Sequence, residues 1–275
     1  MIYENPPVPH EVNVGRESAL REFLRLAAGL ALAMAVAASI LWAAGGWLAR
    51  RIPFATEAAW VGDAVIGIDD AGAAGPPGLR AYLQELADAL AARMDLPAGM
   101  RVKVHVADSE VANAFATLGG HVVVTRGLYR RMPNENALSL VLAHEIGHLR
   151  ERDPISALGG GATLTLLFAL VGGDAGALLP KAARLVTLGH SRSAERRADR
   201  LALAALRARY GHARGAGDVF RILARARDEV MPGRLPTLLS THPADEERIA
   251  RMQAAEDEAG PDATTTPLRI APDGA

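Results

Sequence analysis

The longest apolar run in the chain lies near its N-terminus, from Leu24 to Ala49, with Arg25 as its one charge. From Leu26 onward it would be about 36 Å long as a helix, enough to cross a hydrocarbon core of about 30 Å. Trp42 and Trp47 lie toward one end, where interfacial aromatics belong, and Arg50-Arg51 closes the run. The run lacks the polar face of a core helix and is longer than a signal-peptide core, so residues 24–49 are expected to be a transmembrane helix. Residues 1–23 then form an N-terminal segment. Arg16, Arg21 and Arg25 before the span and two arginines after it determine orientation only weakly.

Beyond the span the periods change. Met100 to Val106 alternates apolar and polar residues, as a half-buried strand should. Asn113 to Ala116 and His121 to Thr125 flank Leu118-Gly119-Gly120, which reads as a hairpin turn. Ala137, Leu138, Leu140, Val141, Leu142, Ile146 and Leu149 then recur at helical spacing. Pro133 and Asn134 start that helix, Glu135 suits its first turn, and Asp153-Pro154 ends it. A second helix opens at Ser193 and continues through Leu206, and an amphipathic one runs from Ala244 to about Ala254. Composition marks residues 50–78 as juxtamembrane region and linker, and residues 258–275 as a disordered tail. The prediction is an α+β fold, mainly helical, with a small β-sheet in a domain over residues 79–257.

Chemistry enters at residues 144–148, His-Glu-Ile-Gly-His. On a helix the two histidines share one face and reach a single metal ion, with Glu145 placed to take a proton from metal-bound water. Zinc is the expected ion, one per chain, because imidazole suits it and it keeps a position open for water or substrate. The extended form of the motif is excluded, since Glu151 and Pro154 stand where glycine and a third histidine would be. Downstream, Glu195 and Asp199 project from one face of the second helix. Glu195 can bind the metal, and Asp199 can accept the other ring N–H of a ligand histidine. An acidic stripe pairing with Arg192, Arg196 and Arg200 is the plainer reading of those carboxylates, but it leaves the metal site incomplete.

These segments, with Asn113-Ala114-Phe115-Ala116, Val124-Thr125-Arg126-Gly127-Leu128 and Ser240-Thr241-His242-Pro243, occur in an order that carries a resemblance. The chain resembles the membrane-associated zinc gluzincin peptidases that include HtpX, the prenyl-protein endopeptidase and the mitochondrial inner-membrane quality-control protease. The resemblance covers about residues 79–252. It implies a zincin-type (minigluzincin) metallopeptidase domain, with His144, His148 and Glu195 as zinc ligands, Glu145 as base and Asp199 behind a ligand. It also implies an edge strand, with Asn113, Ala114 and Phe115, along which an extended substrate lies as an added strand.

His242 has two readings. It caps the helix that follows, with Pro243 in the first turn, or it meets the metal or a tetrahedral intermediate from a preceding loop. The local signal favours the cap. His10, His105, His190 and His212 have no partner pattern. The apolar segment Ile155 to Gly173 is expected to pack or to graze the membrane, because a single crossing there would part His148 from Glu195.

Composition narrows the partners. A formal charge of −1 without a basic patch argues against nucleic acid, and the absence of cysteine removes disulfides and thiol nucleophiles. The expected activity is endopeptidase cleavage of unfolded or misassembled envelope proteins. The bilayer is engaged through residues 24–49, in an inner membrane, with the catalytic domain on the extracytoplasmic side. A membrane-tethered assembly factor or holdase that uses the same groove without turnover is the alternative, and a structural metal domain is a third.

Overall fold

A computed structural model describes residues 18–61, 75–170, 190–222, 238, 242 and 245–272. Helix α1, Ala19–Ala49, starts at Ser18, whose hydroxyl accepts the Arg21 N–H. Leu24, Leu32, Met34 and Ile40 are each more than half exposed, and burial is confined to its C-terminal turns at Gly46 and Ala49. Among the described residues α1 is the one helix long and apolar enough to cross a membrane. A short helix α2, Phe54–Val61, follows it.

The body behind these helices begins with α3, Leu79–Ala91. Strands β1 (Lys103–Ala107), β2 (Ala114–Thr117) and β3 (His121–Thr125) form one sheet in the order β1-β3-β2. β1 runs parallel to β3, pairing Val104 with Val122, whereas β2 is antiparallel to it, pairing Ala116 with Val122. Every residue of β3 is buried, as a central strand requires, while β1 alternates. The expected hairpin turn at 118–120 is a short 3-10 turn in which Gly119 (φ 74°) and Gly120 (φ 83°) hold left-handed backbone.

Helix α4, Arg126–Tyr129, leads into α5, Glu135–Arg150, which is buried at every position from Glu135 to Leu149. The core joins Leu83, Leu86 and Leu90 of α3, Val104, Val122 and Val124 of the sheet, and Leu138, Leu142 and Ile146 of α5. Helices α6 (Asp153–Leu170), α7 (Arg192–Tyr210) and α8 (Glu246–Asp257) complete the described elements. The expected packed helix at 155–173 is α6, which lies against α1. Asp153-Pro154 does not end α5 but opens α6; the break falls earlier, at Arg152, whose φ of 60° is left-handed.

The expected disordered tail is corrected by the structure. The Thr266 carbonyl accepts the Glu135 N–H (2.8 Å), the Thr266 N–H donates to Asn136 Oδ1 (2.9 Å), and Leu268 and Ile270 pack on the core. The physical reason lies in α5. Its first turn is buried, so its free N–H groups need acceptors, and the Asn134 cap serves Ala137 N–H while the tail serves Glu135.

Glu135 anchors that end of α5. Its carboxylate is buried and accepts from Tyr82 Oη (2.7 Å), Tyr210 Oη (2.8 Å) and Arg209 Nη2 (3.0 Å). Burial alone would raise its pKa, but these donors together hold it below the ordinary value of 4.5. A depressed carboxylate stabilises the fold above its unfolded pKa, and that contribution is lost as pH falls through the folded pKa. Glu135→Gln should therefore destabilise the metal-free protein by about 1–3 kcal/mol at pH 7. The deficit should shrink between about pH 5 and pH 3, as thermal melts across that range would show.

Candidate metal centre

Helix α5 carries His144, Glu145 and His148, and α7 brings Glu195 and Asp199 up to them. The two helices meet closely at Gly147, where a Cβ would stand 3.1 Å from Ala198 Cα. Ala194, Ala198 and Ala202 form the small-residue face of α7 that is buried at this level. Ser191 starts α7 by accepting the Ala194 N–H, which puts Glu195 in the first turn, where the helix dipole favours a negative charge.

The donor atoms converge. His144 Nε2 lies 3.1 Å from His148 Nε2 and 3.3 Å from Glu195 Oε2, and His148 Nε2 lies 3.4 Å from Glu195 Oε1. His242 joins them, with Nδ1 3.3 Å from His144 Nε2 and 3.0 Å from Glu195 Oε1. Each histidine of α5 is oriented from behind by a carboxylate: His144 Nδ1 by Asp199 (3.0 Å) and His148 Nδ1 by Asp153 (2.9 Å). Glu145 accepts the Ala116 N–H through Oε2 (2.8 Å), and its Oε1 is buried without a hydrogen-bond partner.

Charge is concentrated here. Burial disfavours the charged form of the His144 ring, yet Asp199 and Glu195 push its pKa up to about 10. His148 is raised as well, against burial, by Asp153 and Glu195. Burial would raise Glu195 and Asp199, but the imidazoles hold Glu195 far below the usual carboxylate range, and His144 with Arg248 hold Asp199 down to about 2. Arg248 of α8 binds Asp199 through Nε and Nη2, both at 2.8 Å. Its Nη1 makes an ion pair with Glu195 Oε2 at 2.7 Å without hydrogen-bond alignment.

This donor set fits a divalent cation. Bonds of about 2.0–2.1 Å in a tetrahedron place neighbouring ligand atoms about 3.3–3.4 Å apart. The separations His144–His148, His144–Glu195, His148–Glu195, His144–His242 and Glu195–His242 are 3.0–3.4 Å, and all four donors lie within 4.8 Å of one another. The imidazole-to-imidazole distance of 3.1 Å between two ring nitrogens, each with its other nitrogen held by a carboxylate, is the geometry of lone pairs aimed at one point. Nitrogen and oxygen donors in this ratio suit zinc. Three protein donors would leave a fourth position to water or substrate, so His242 and an incoming ligand are alternatives there.

The expected capping role of His242 is corrected. Helix α8 starts at Glu246, not at 244, and its cap is Asp245, whose side chain accepts the Arg248 N–H. His242 is instead buried beside Glu195, with Nε2 3.5 Å from Glu145 Oε1. The expected set of His144, Glu145, His148, Glu195 and Asp199 is thus brought together. Three participants have no forecast role: Asp153, Arg248 and His190, whose ring stacks on His148 at 3.7 Å. Asp153 carried a signal, since five residues beyond His148 it sits just past one helical turn. Its pairing with Pro154 gave a competing helix-end reading. His10 lies outside the described residues, while His105 Nε2 meets His121 Nδ1 at 2.8 Å, away from this centre.

The strand expectation is shifted in register. Asn113 turns its backbone toward β3, accepting Thr125 N–H (2.9 Å) and donating to Thr125 Oγ1 (2.9 Å). By antiparallel alternation Phe115 also faces β3, and Ala114 and Ala116 direct their backbone groups to the open edge. The Ala116 N–H bond to Glu145 follows that rule. An apolar cavity lined by Leu140, Val141, Val219, Phe220, Leu238 and Met252 adjoins His144 and His242.

A helix bearing paired histidines and a glutamate, completed by a carboxylate from a second helix, defines a metallopeptidase type of centre. The chain belongs to peptidase family M48, whose family model matches residues 77–256. It is 32% identical over 163 residues to a beta-barrel assembly-enhancing protease of Escherichia coli K12, covering 52% of this chain and 32% of that protein. It is 31% identical over 209 residues to a protease HtpX homolog of Salinibacter ruber, covering 62% of this chain and 73% of the homolog. The match therefore spans only about a third of the assembly-enhancing protease.

Zinc retention should report the donor set. Glu195→Ala is expected to abolish stoichiometric zinc binding, and His242→Ala to weaken it by at least about tenfold, both read by chelator competition. Exchanging His212, outside the centre, should leave affinity unchanged.

Proposed function

We propose that this chain is a membrane-anchored zinc endopeptidase that cuts unfolded or misassembled proteins. The observation that carries this reading is a buried carboxylate, Glu145, with one oxygen held by a backbone N–H and the other without a hydrogen bond, 3.5 Å from His242 Nε2, beside three convergent ligand atoms. His144, His148 and Glu195 would hold the ion. When bound, zinc supplies Lewis acidity and lowers the pKa of water to about 7.

The remaining work falls to the chain. The Ala116 N–H fixes the Glu145 carboxylate in one rotamer, so its free oxygen is aimed rather than averaged. That oxygen accepts the proton of the attacking water and returns it to the leaving amine. The backbone groups that β2 leaves at its edge, apart from the Ala116 N–H taken by Glu145, would hold an extended peptide as an added strand, which asks little of its side chains. Folded domains cannot offer such a strand, so unfolded segments are the natural substrate. The neighbouring apolar cavity would favour an apolar side chain of the peptide on the side of His144 and His242.

Envelope proteins are the proposed pool. The E. coli relative is named for β-barrel assembly, and α1 would hold the domain at a membrane surface, here placed on the extracytoplasmic face. Protease accessibility in intact spheroplasts tests that side.

A tethered holdase would use the same strand edge without turnover, and one variant separates the two. The purified chain of residues 1–275 in detergent with zinc should cleave an unfolded casein-type substrate. Glu145→Gln should cut the rate by at least about 100-fold while peptide binding persists, and chelation should abolish cleavage. Equal rates for wild type and Glu145→Gln would overturn the peptidase reading.

A further inference from the structure

The segment between the membrane helix and the domain makes polar contacts that simple tethering does not require. Gly45 and Gly46 near the end of α1 meet Gly159 and Ser156 of α6 so closely that a Cβ at either glycine would stand under 3 Å from backbone atoms. This contact fixes the exit of α1 against the start of α6. There Arg50 Nη2 lies 3.2 Å from Asp153 Oδ1, and the other oxygen of Asp153 holds His148 Nδ1.

A second arm starts at Glu57 of α2, which is 3% exposed. One of its oxygens accepts the Gly119 N–H (2.8 Å), in the turn that joins β2 to β3. The other makes an ion pair with Arg152 Nη1 (2.6 Å), while Arg152 Nη2 donates to the Ile52 carbonyl (2.7 Å). Arg152 holds left-handed backbone, with a φ of 60° that disfavours any residue with a side chain. It persists because α2 and the preceding turn grip its guanidinium, and it sets the chain direction one residue before Asp153. β2, at the far side of the Glu57-bound turn, carries the N–H that orients Glu145.

We propose that the juxtamembrane segment is a working part of the metal centre: Arg50, through Asp153, positions His148, and Glu57, through the Gly119 turn, positions Glu145. Hydrophobic docking of α2 would have sufficed for a tether; a buried carboxylate is costly unless paired, and the partners Glu57 has tie α2 to the β2–β3 turn and to Arg152. Arg50 and Glu57 are positioning residues, since neither touches the ligand atoms. This inference rests on the peptidase reading for Glu145, whereas its His148 arm needs only metal binding.

The test uses the whole chain of residues 1–275 in nanodiscs, with zinc affinity by chelator competition and the visible spectrum of the cobalt-substituted form. Arg50→Ala should weaken zinc binding by about threefold to tenfold and alter the cobalt spectrum, with Arg50→Lys restoring most of both. Arg51→Ala, whose guanidinium lies over Trp47, is the matched control and should change neither. Glu57→Gln should lower kcat on unfolded substrate by about tenfold while KM moves less than about twofold. Trp60→Ala, an exposed change on the same helix, should leave kcat intact. The proposal is overturned if Arg50→Ala matches Arg51→Ala in affinity and spectrum, or if Glu57→Gln turns over like Trp60→Ala. The affinity arm reads the same way in a protein that cleaves nothing, so failure of the peptidase reading is seen separately.

Discussion

The close approach of α5 and α7 is the constraint on which the centre depends. With Gly147 against Ala198, two imidazoles from one helix face two carboxylates from the other across little more than a hydrogen-bond length. A larger residue at either position would separate the donors by more than a metal can bridge. The approach has an electrostatic consequence. Glu195, Asp199, Asp153 and Glu145 are all buried, and carboxylates at such density are stable only with positive charge among them. The fold supplies part of it as Arg248 from α8, which is buried and binds both carboxylates of α7. The position of α8 is thereby tied to the chemistry of α7, although the two helices lie far apart in sequence.

Helix α5 is held at both ends because its middle must not move. At its start the Asn134 cap, the tail through Thr266 and the Glu135 cluster hold the first turn. At its end Arg150 Nε donates to the Met94 carbonyl (2.7 Å), and Asp153 draws on His148. Between these anchors a strand edge and a helix share Glu145. The bond from Ala116 N–H removes one rotational freedom from the side chain and at the same time satisfies a backbone donor on β2 that would otherwise be open. The sheet is small because its work is local: β3 is buried on every residue and gives β2 a rigid partner, and β2 gives Glu145 its orientation.

Legibility in the sequence followed the range of the signal. Helix α5, the β2–β3 hairpin and α7 rest on local periodicity and turn chemistry, so residues 135–150, 114–125 and 192–210 could be read within a few positions. The convergence of His144, His148 and Glu195 could be read because fixed spacing on a helix fixes a shared face. His242 could not, since capping is a local pattern and burial against Glu195 is made across 47 positions. Arg248 was hidden for the same reason, as one arginine in a helix rich in charge. Asp153 was read as punctuation because Asp-Pro is a strong helix-boundary signal, and it is indeed one, but its carboxylate also serves His148. The tail failed on composition: Gly, Pro, Asp and Thr dominate it, yet Leu268, Ile270 and a few backbone groups suffice to dock it where a buried helix start lacks acceptors.

The path of α6 follows from the site rather than from its own hydropathy. His148 and Glu195 meet at 3.4 Å, and α6 starts at Asp153, whose carboxylate holds the His148 ring. Close contacts advance along α6 as they retreat along α1: Gly46 meets Ser156, Gly45 meets Gly159 and Thr163, and Trp42 meets Gly160. The two helices are therefore antiparallel. Both carry glycine at the crossing, and the Thr163 hydroxyl donates to the Gly159 carbonyl within its own helix. Small residues are what permits such a contact, because closely fitted backbones gain dispersion that larger side chains would prevent. A crossing built this way makes α6 a partner of the anchor and, through Asp153 at its first residue, an extension of the metal centre.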